Sequence, residues 1–301
     1  MFAMTNSKTK KSSFMARLLP KRFRKDHPLV PVVRLTGAIG MATPLRPGIA
    51  LETCAGALER AFSARGAVAV AVSINSPGGS PVQSNLIFKR IRALAAEKSI
   101  PVYTFCEDVA ASGGYMLACA GDEIYADPSS IIGSIGVVSS GFGFTKAIEK
   151  LGVERRVYTA GARKVILDPF QEEKPEDIKQ LLAIQKEIHQ TFMALVRERR
   201  AEALNGTEKK LFSGEFWAGE KAVELGLIDD LGDLRSVLRS KFGEHVRLKV
   251  MTREGGWLKR RLGLKNLIPA FTTFASDGGF SLTEDALSTI EARALWARFG
   301  L

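Results

Sequence analysis

Ala67 to Ser80 reads A-V-A-V-A-V-S-I-N-S-P-G-G-S, and the fold class turns on this stretch. Its apolar, β-branched first part, Ala67 to Ile74, predicts a strand that ends at Asn75. A Gly-rich turn follows, and Pro81 to Glu97 then carries its apolar residues at helical spacing. Strand, glycine turn and helix in succession are the material of an α/β domain.

The same alternation extends in both directions. Val30 to Leu35 predicts a strand and Leu51 to Ala64 a helix. Downstream, Pro101 to Phe105 predicts a strand that leads through a Gly-containing turn into a short apolar helix, Gly113 to Ala118, and then to Glu123–Ala126. Ile131 to Ser139 alternates again, Phe144 to Leu151 predicts a helix, and Arg156 to Thr159 a short strand. Pro175 to Ala203 predicts a long amphipathic helix with Leu181, Leu182, Ile184, Ile188, Phe192 and Leu195 on its apolar face. Lys221 to Phe242 supplies the last helical part and Arg247 to Met251 the last strand.

The formal net charge of +11 over 301 residues raises the question of an anionic partner. Residues 1–28 hold eight Lys or Arg against the single acid Asp26, and residues 249–301 hold eight against five acids, so the surplus belongs to the ends. The expected organisation is a basic, disordered arm over 1–28, one catalytic domain over 29–250 and a basic, amphipathic tail over 251–301. Such an arm fits peripheral contact with a lipid headgroup layer, whereas a nucleic-acid partner is disfavoured. No stretch has the ~20 apolar residues that span a bilayer, and Phe14 to Leu19 is interrupted by Arg17 and closed by Pro20, so no secretory signal is read. The compartment expected by default is the cytoplasm. Cys54, Cys106 and Cys119 are far apart and lack metal-binding spacing, which predicts buried apolar fillers and no metal site.

Two Gly-rich turns end apolar strands: Asn75-Ser76-Pro77-Gly78-Gly79-Ser80 and Ala111-Ser112-Gly113-Gly114-Tyr115. Glycines there let backbone N–H groups approach a ligand. In the second turn, a hydroxyl sits beside the Gly113 amide at a helix start, which suits a nucleophile next to an oxyanion donor. A helix-capping serine would look the same. A base for Ser112 is not found among the histidines: His27 lies in the basic arm, His245 near the end of the domain, and His189 in the long helix, where it reads as a packing or surface residue. Lys164 lies in Gly161-Ala162-Arg163-Lys164-Val165-Ile166-Leu167-Asp168-Pro169, a passage of small and apolar residues. Serving as a base near neutral pH would require its pKa to fall from ~10.4 to ~7–8, which burial and a neighbouring cation such as Arg163 can supply. A solvated surface lysine would also fit that passage.

These motifs together resemble the signal peptide peptidase A (protease IV) family of serine peptidases, over about Leu29 to Val250. Asn75 to Gly79 is similar to the family's oxyanion loop, Asp108 to Tyr115 to its nucleophile segment, and Gly133-Ser134-Ile135-Gly136-Val137 to a motif whose serine holds the base. Gly161 to Pro169 resembles the stretch bearing the base, and Phe212 to Asp229 a late structural segment. The resemblance implies an α/β Clp-protease/crotonase-like fold with repeated ββα units and a Ser-Lys dyad of Ser112 and Lys164. It further implies oxyanion amides from Gly78 and Gly113, a positioning role for Ser134, and neither cofactor nor metal. Peptide substrates and a ring-like homo-oligomer are the implied partners. Val165 stands where members often carry an acid, and a basic arm stands where they usually carry a membrane anchor. Two other readings remain open: a crotonase-like acyl-CoA enzyme using the same amides, and a non-catalytic scaffold.

Overall fold

The computed structural model describes residues 27–41, 48–161 and 163–252, together with Arg293, Ala294, Trp296, Ala297 and Phe299. Most of the expected basic arm and of the C-terminal tail therefore lies outside the described residues.

Among the described residues eight strands form one mixed sheet: β1 (Leu29–Thr36), β2 (Val70–Ser76), β3 (Val102–Ala111), β4 (Glu123–Ala126), β5 (Ile131–Gly133), β6 (Phe216–Ala218), β7 (Asp230–Leu231) and β8 (Arg247–Val250). The main path runs β6-β5-β3-β2-β1-β8, with β4 joining β3 to β7. Every pairing is parallel except that of β5 with β6. The long strand β3 serves two neighbours: its first half pairs with β4 and its last three residues with β5. Between those halves the β2–β3 register shifts at Ile74/Ser76. Asn75 bridges the irregularity, donating to Asp108 at 2.6 Å and accepting from Val109 N–H at 3.2 Å. The end of β3 thereby swings toward β5, and the nucleophile turn goes with it.

The helices are α1 (Leu51–Phe62), α2 (Pro81–Lys98), α3 (Gly113–Ala118), α4 (Thr145–Lys150), α5 (Pro175–Arg200), α6 (Glu208–Leu211), α7 (Gly219–Glu224) and α8 (Leu234–Phe242). α2 begins where Ser80 accepts from Gln83 N–H and Pro81 supplies a residue that needs no hydrogen bond. Asp233 caps α8 in the same way, through the amides of Arg235 and Ser236. One face of the sheet buries Val33, Leu35, Val72 and Ile74 against α1, α2, α3 and the end of α5. The other face buries Val30, Val32, Ala71 and Phe105 under Leu238 of α8. Fully enclosed side chains such as Leu58, Ile87, Ile91 and Tyr115 contribute on the order of 2 kcal/mol each through lost apolar exposure.

Four expectations give way. Ile131 to Ser139 is a strand only as far as Gly133, because Gly133 (φ +108) and Ser134 (φ +52) turn the backbone out of the β region. Arg156 to Thr159 forms no strand, having no neighbour to pair with. Lys221 to Phe242 is two helices separated at Gly226 (φ +70), with β7 between them. The apolar face of α5 is buried only at Phe192, Leu195 and Val196, while Leu182 and Ile184 face solvent.

No described residue between Val138 and Glu176 is buried. This segment is an arm that closes on itself at its base: Phe144 N–H donates to Pro169 O at 2.6 Å, Phe144 packs on Phe170, and Arg155 covers Phe170 while pairing with Asp168 at 2.9 Å. Among the described residues no helix is long and apolar enough to cross a membrane.

Candidate active site

Ser112 stands between the last residue of β3 and the first of α3, at φ 53 and ψ −122. Only glycine reaches that region without strain, and a side chain held there costs on the order of 1–3 kcal/mol. The surrounding contacts hold it. Ser112 N–H donates to Gly133 O at 2.8 Å, its carbonyl accepts from the amides of Tyr115 and Met116, and residues 109–111 and 113–120 are all buried. Ser112 alone in this run is half-exposed, so its hydroxyl is available while its backbone is locked.

Further from the turn, Tyr115 fixes α3 by donating its hydroxyl to Leu227 O at 2.7 Å. The buried Arg200 guanidinium closes the same corner, donating to Gly226 O and, at 2.9 Å to each oxygen, to the Asp229 carboxylate. Nη1 alone reaches both carboxylate oxygens while Nε and Nη2 share the Gly226 carbonyl, and charge-assisted bonds of this kind are stronger than neutral ones. The end of α5, the start of α3 and the Gly226–Asp229 turn are therefore one rigid block.

The first Gly-rich turn is pressed against the serine. A β-carbon on Gly78 would lie 2.7 Å from Ser112 Cβ and 3.0 Å from both Ala111 O and Gly113 N, so only hydrogen fits, and φ +101 requires glycine as well. The turn is pinned from behind by Gly37 N–H to Asn75 O, Ile39 N–H to Gly78 O and Ser80 N–H to Ile39 O, all 2.8 to 2.9 Å. Gly78 N–H donates to the buried Ser76 hydroxyl at 3.2 Å.

On the other side of Ser112 a recess of about 330 Å³ is lined by Ser112, Ser134, Gly136, Val137, Val138, His189, Ser213 and Gly214. The fold thus brings Ser112, Gly78, Gly113 and Ser134 together. Lys164 does not join them: it is exposed on the arm and outside the recess lining. Arg163, considered above as the cation beside it, faces Asp177 at the start of α5. His189 is not the plain packing or surface residue that its neighbours in sequence suggest, because it lines the recess and its Nε2 lies 3.1 Å from Ile135 O. No local signal marks that role, since the partner is 54 positions away. The three cysteines are buried as expected, and burial pushes the Cys106 thiol well up and the Cys119 thiol up to about 12. Among the described residues no cluster of His, Cys, Asp or Glu could hold a metal ion.

A strained strand-to-helix turn that holds a serine hydroxyl clear of the core is an arrangement in which a nucleophile can work. Residues 95–247, just over half of the chain, match the family described as Peptidase family S49, and the chain belongs to that family. Its fold is accordingly the α/β Clp-protease/crotonase-like one. The chain is 34% identical over 171 residues to a putative signal peptide peptidase SppA of Enterococcus faecium, covering 57% of this chain and 49% of that one. It is 55% identical over 291 residues to a Brucella abortus protein titled Na(+)/H(+) antiporter NhaA, covering 95% of this chain but 39% of that protein. The chain therefore spans two-fifths to one-half of the length of these relatives. Among solved structures it resembles the 1510-N membrane-bound stomatin-specific protease, with a TM-score of 0.47, 17% identity and coverage of 75% of this chain and 98% of that one.

Proposed function

We propose that the chain is a serine endopeptidase in which Ser112 attacks the peptide carbonyl and Lys164 is the general base. The observation that carries this reading is the strained, half-exposed Ser112 beneath Gly78, in a chain of family S49. Lys164 enters the recess between Ser112 and Ser134 when the arm closes. Entry takes the amine out of water, and the Ser134 hydroxyl orients it toward Ser112. The amine takes the proton of Ser112 Oγ as that oxygen bonds to the carbonyl carbon. The Gly78 and Gly113 amides receive the developing oxyanion, and the lysine ammonium returns the proton to the leaving amine. Water, deprotonated by the same lysine, then releases the acyl group. Because Lys164 must travel to reach Ser112, the substrate fitting this site is an extended segment laid between arm and body, as in remnant signal peptides or unfolded, membrane-derived segments.

A fluorophosphonate probe applied near pH 8 to the full chain and to Ser112→Ala and Lys164→Ala tests the reading. The expected label is on Ser112, absent in the first variant and at least ~100-fold slower in the second. A folded wild-type chain that stays unlabelled would move the assignment to an enolate-stabilising, crotonase-like site.

A further inference from the structure

Three hydrogen bonds fasten the turn that carries Ser134, each reaching a different element. Gly133 O accepts from Ser112 N–H at 2.8 Å, Ser134 N–H donates to Glu215 O at 2.7 Å, and Ile135 O lies 3.1 Å from His189 Nε2 on α5. Two of these are backbone to backbone; the third depends on a side chain. The turn needs such anchors because Gly133 at φ +108 and Ser134 at φ +52 are wound against the β geometry of the strand before them. A carbonyl has no proton to give, so the imidazole carries its proton on Nε2 and donates. The block that holds the end of α5 through Arg200 therefore reaches the far wall of the recess through His189.

We infer that His189 is a positioning residue of the Ser112 site: by donating from Nε2 to Ile135 O it fixes where the Ser134 hydroxyl stands when the base arrives. The inference rests on the Ser-Lys reading and deepens it. His189 acts through Ser134 and touches neither the attacking oxygen nor the amine that deprotonates it. A residue that only filled space would be indifferent to the loss of its N–H, and one that bound substrate would change affinity; a positioning residue changes the chemical step.

The test compares the full-length wild type with His189→Leu, His189→Gln and His189→Asn. The readouts are the rate of fluorophosphonate attack on Ser112, kcat and KM on an unstructured peptide, and the thermal midpoint. Leucine removes the donor, glutamine places an amide N–H close to the position of Nε2, and asparagine falls one methylene short. The leucine and asparagine variants are expected to lose about tenfold in labelling rate and in kcat, with KM within about twofold of wild type and glutamine restoring most of the rate. The inference is overturned by wild-type labelling in both the leucine and asparagine variants. It is equally overturned by a raised KM with kcat kept, or by a folded glutamine variant no faster than asparagine. If leucine fails to fold, the glutamine–asparagine contrast decides alone. Failure of the underlying reading looks different: the wild type would not label on Ser112, or Lys164→Ala would label as fast as wild type, and the role of His189 would fall with it.

Discussion

At the scale of single residues, the arrangement around Ser112 is decided by what cannot be there. A methyl on Gly78 would sit 2.7 Å from Ser112 Cβ, inside any real contact, and its φ of +101 adds strain of its own. Neither neighbour can yield, because Ser112 is held by Gly133 O and Gly78 by Ile39 N–H. Gly78→Ala is therefore expected to displace the amide proposed to receive the oxyanion from Ser112, and loss of one such donor costs about 10²–10³ in turnover. The measurement is peptide hydrolysis beside circular dichroism: a folded variant within threefold of wild type would show that the Gly78 amide takes no part. The residues of this corner were legible in the sequence because short-range chemistry marks them. Gly78, Ser112 and Gly113 lie in turns whose composition announces a close backbone approach. His189 was not legible, because what gives it a place in the site is a carbonyl on a different element.

At the scale of elements, the arm from Val138 to Glu176 behaves unlike the rest of the chain, since its order comes from its own base and not from the sheet. Asp168 is central to that base. It pairs with Arg155 at 2.9 Å and accepts from Phe170 N–H at 3.1 Å. The Phe170 amide foremost, with Arg155 adding to it, holds the carboxyl below the ordinary aspartate value of 3.8 against the opposing effect of desolvation. A carboxyl with a depressed folded value contributes its full stabilisation above the unfolded pKa and loses it as pH falls through the folded one. The base of the arm is thus expected to stay closed down to about pH 4 and to open below that, while Asp168→Asn opens it at neutral pH. Amide hydrogen exchange at Phe144 and Phe170 checks both statements; unchanged protection in Asp168→Asn at pH 7 would show that the aromatic contacts suffice. Elements with a partner close by in sequence were read nearly to the residue, as with α3 and β4. Arg156 to Thr159 was misread because β-branched and aromatic residues make a strand only where an edge is offered, and the arm offers none. The three-residue β6 was missed because its pairing with β5 is all that defines it.

At the scale of the whole molecule, the apolar residues left outside are as informative as those inside. Phe142 and Leu151 are each 76% exposed and Tyr158 is 90% exposed, all on the arm, and Leu182 on α5 is 57% exposed. Isolated apolar residues on a surface need no explanation, but several large ones on one segment exceed what a monomer ordinarily leaves in water. The same segment carries Lys164, so whatever covers it also bears on whether the base reaches Ser112. The occupant expected is a second copy of the chain, forming the homo-oligomer that the family resemblance implies, with an interface above about 1,000 Å² if it is to be stable. Leu151→Glu combined with Tyr158→Glu places two charges where that contact would form and leaves the buried core untouched. The wild type is expected to sediment as a multimer and the double variant as a single chain with unchanged circular dichroism. Fluorophosphonate labelling should fall together with assembly, because an arm without its neighbour leaves Lys164 outside the recess that holds Ser112. A wild type that sediments as a single chain yet labels rapidly would instead mean that the arm closes without the help of a neighbour, with the exposed apolar residues serving the substrate.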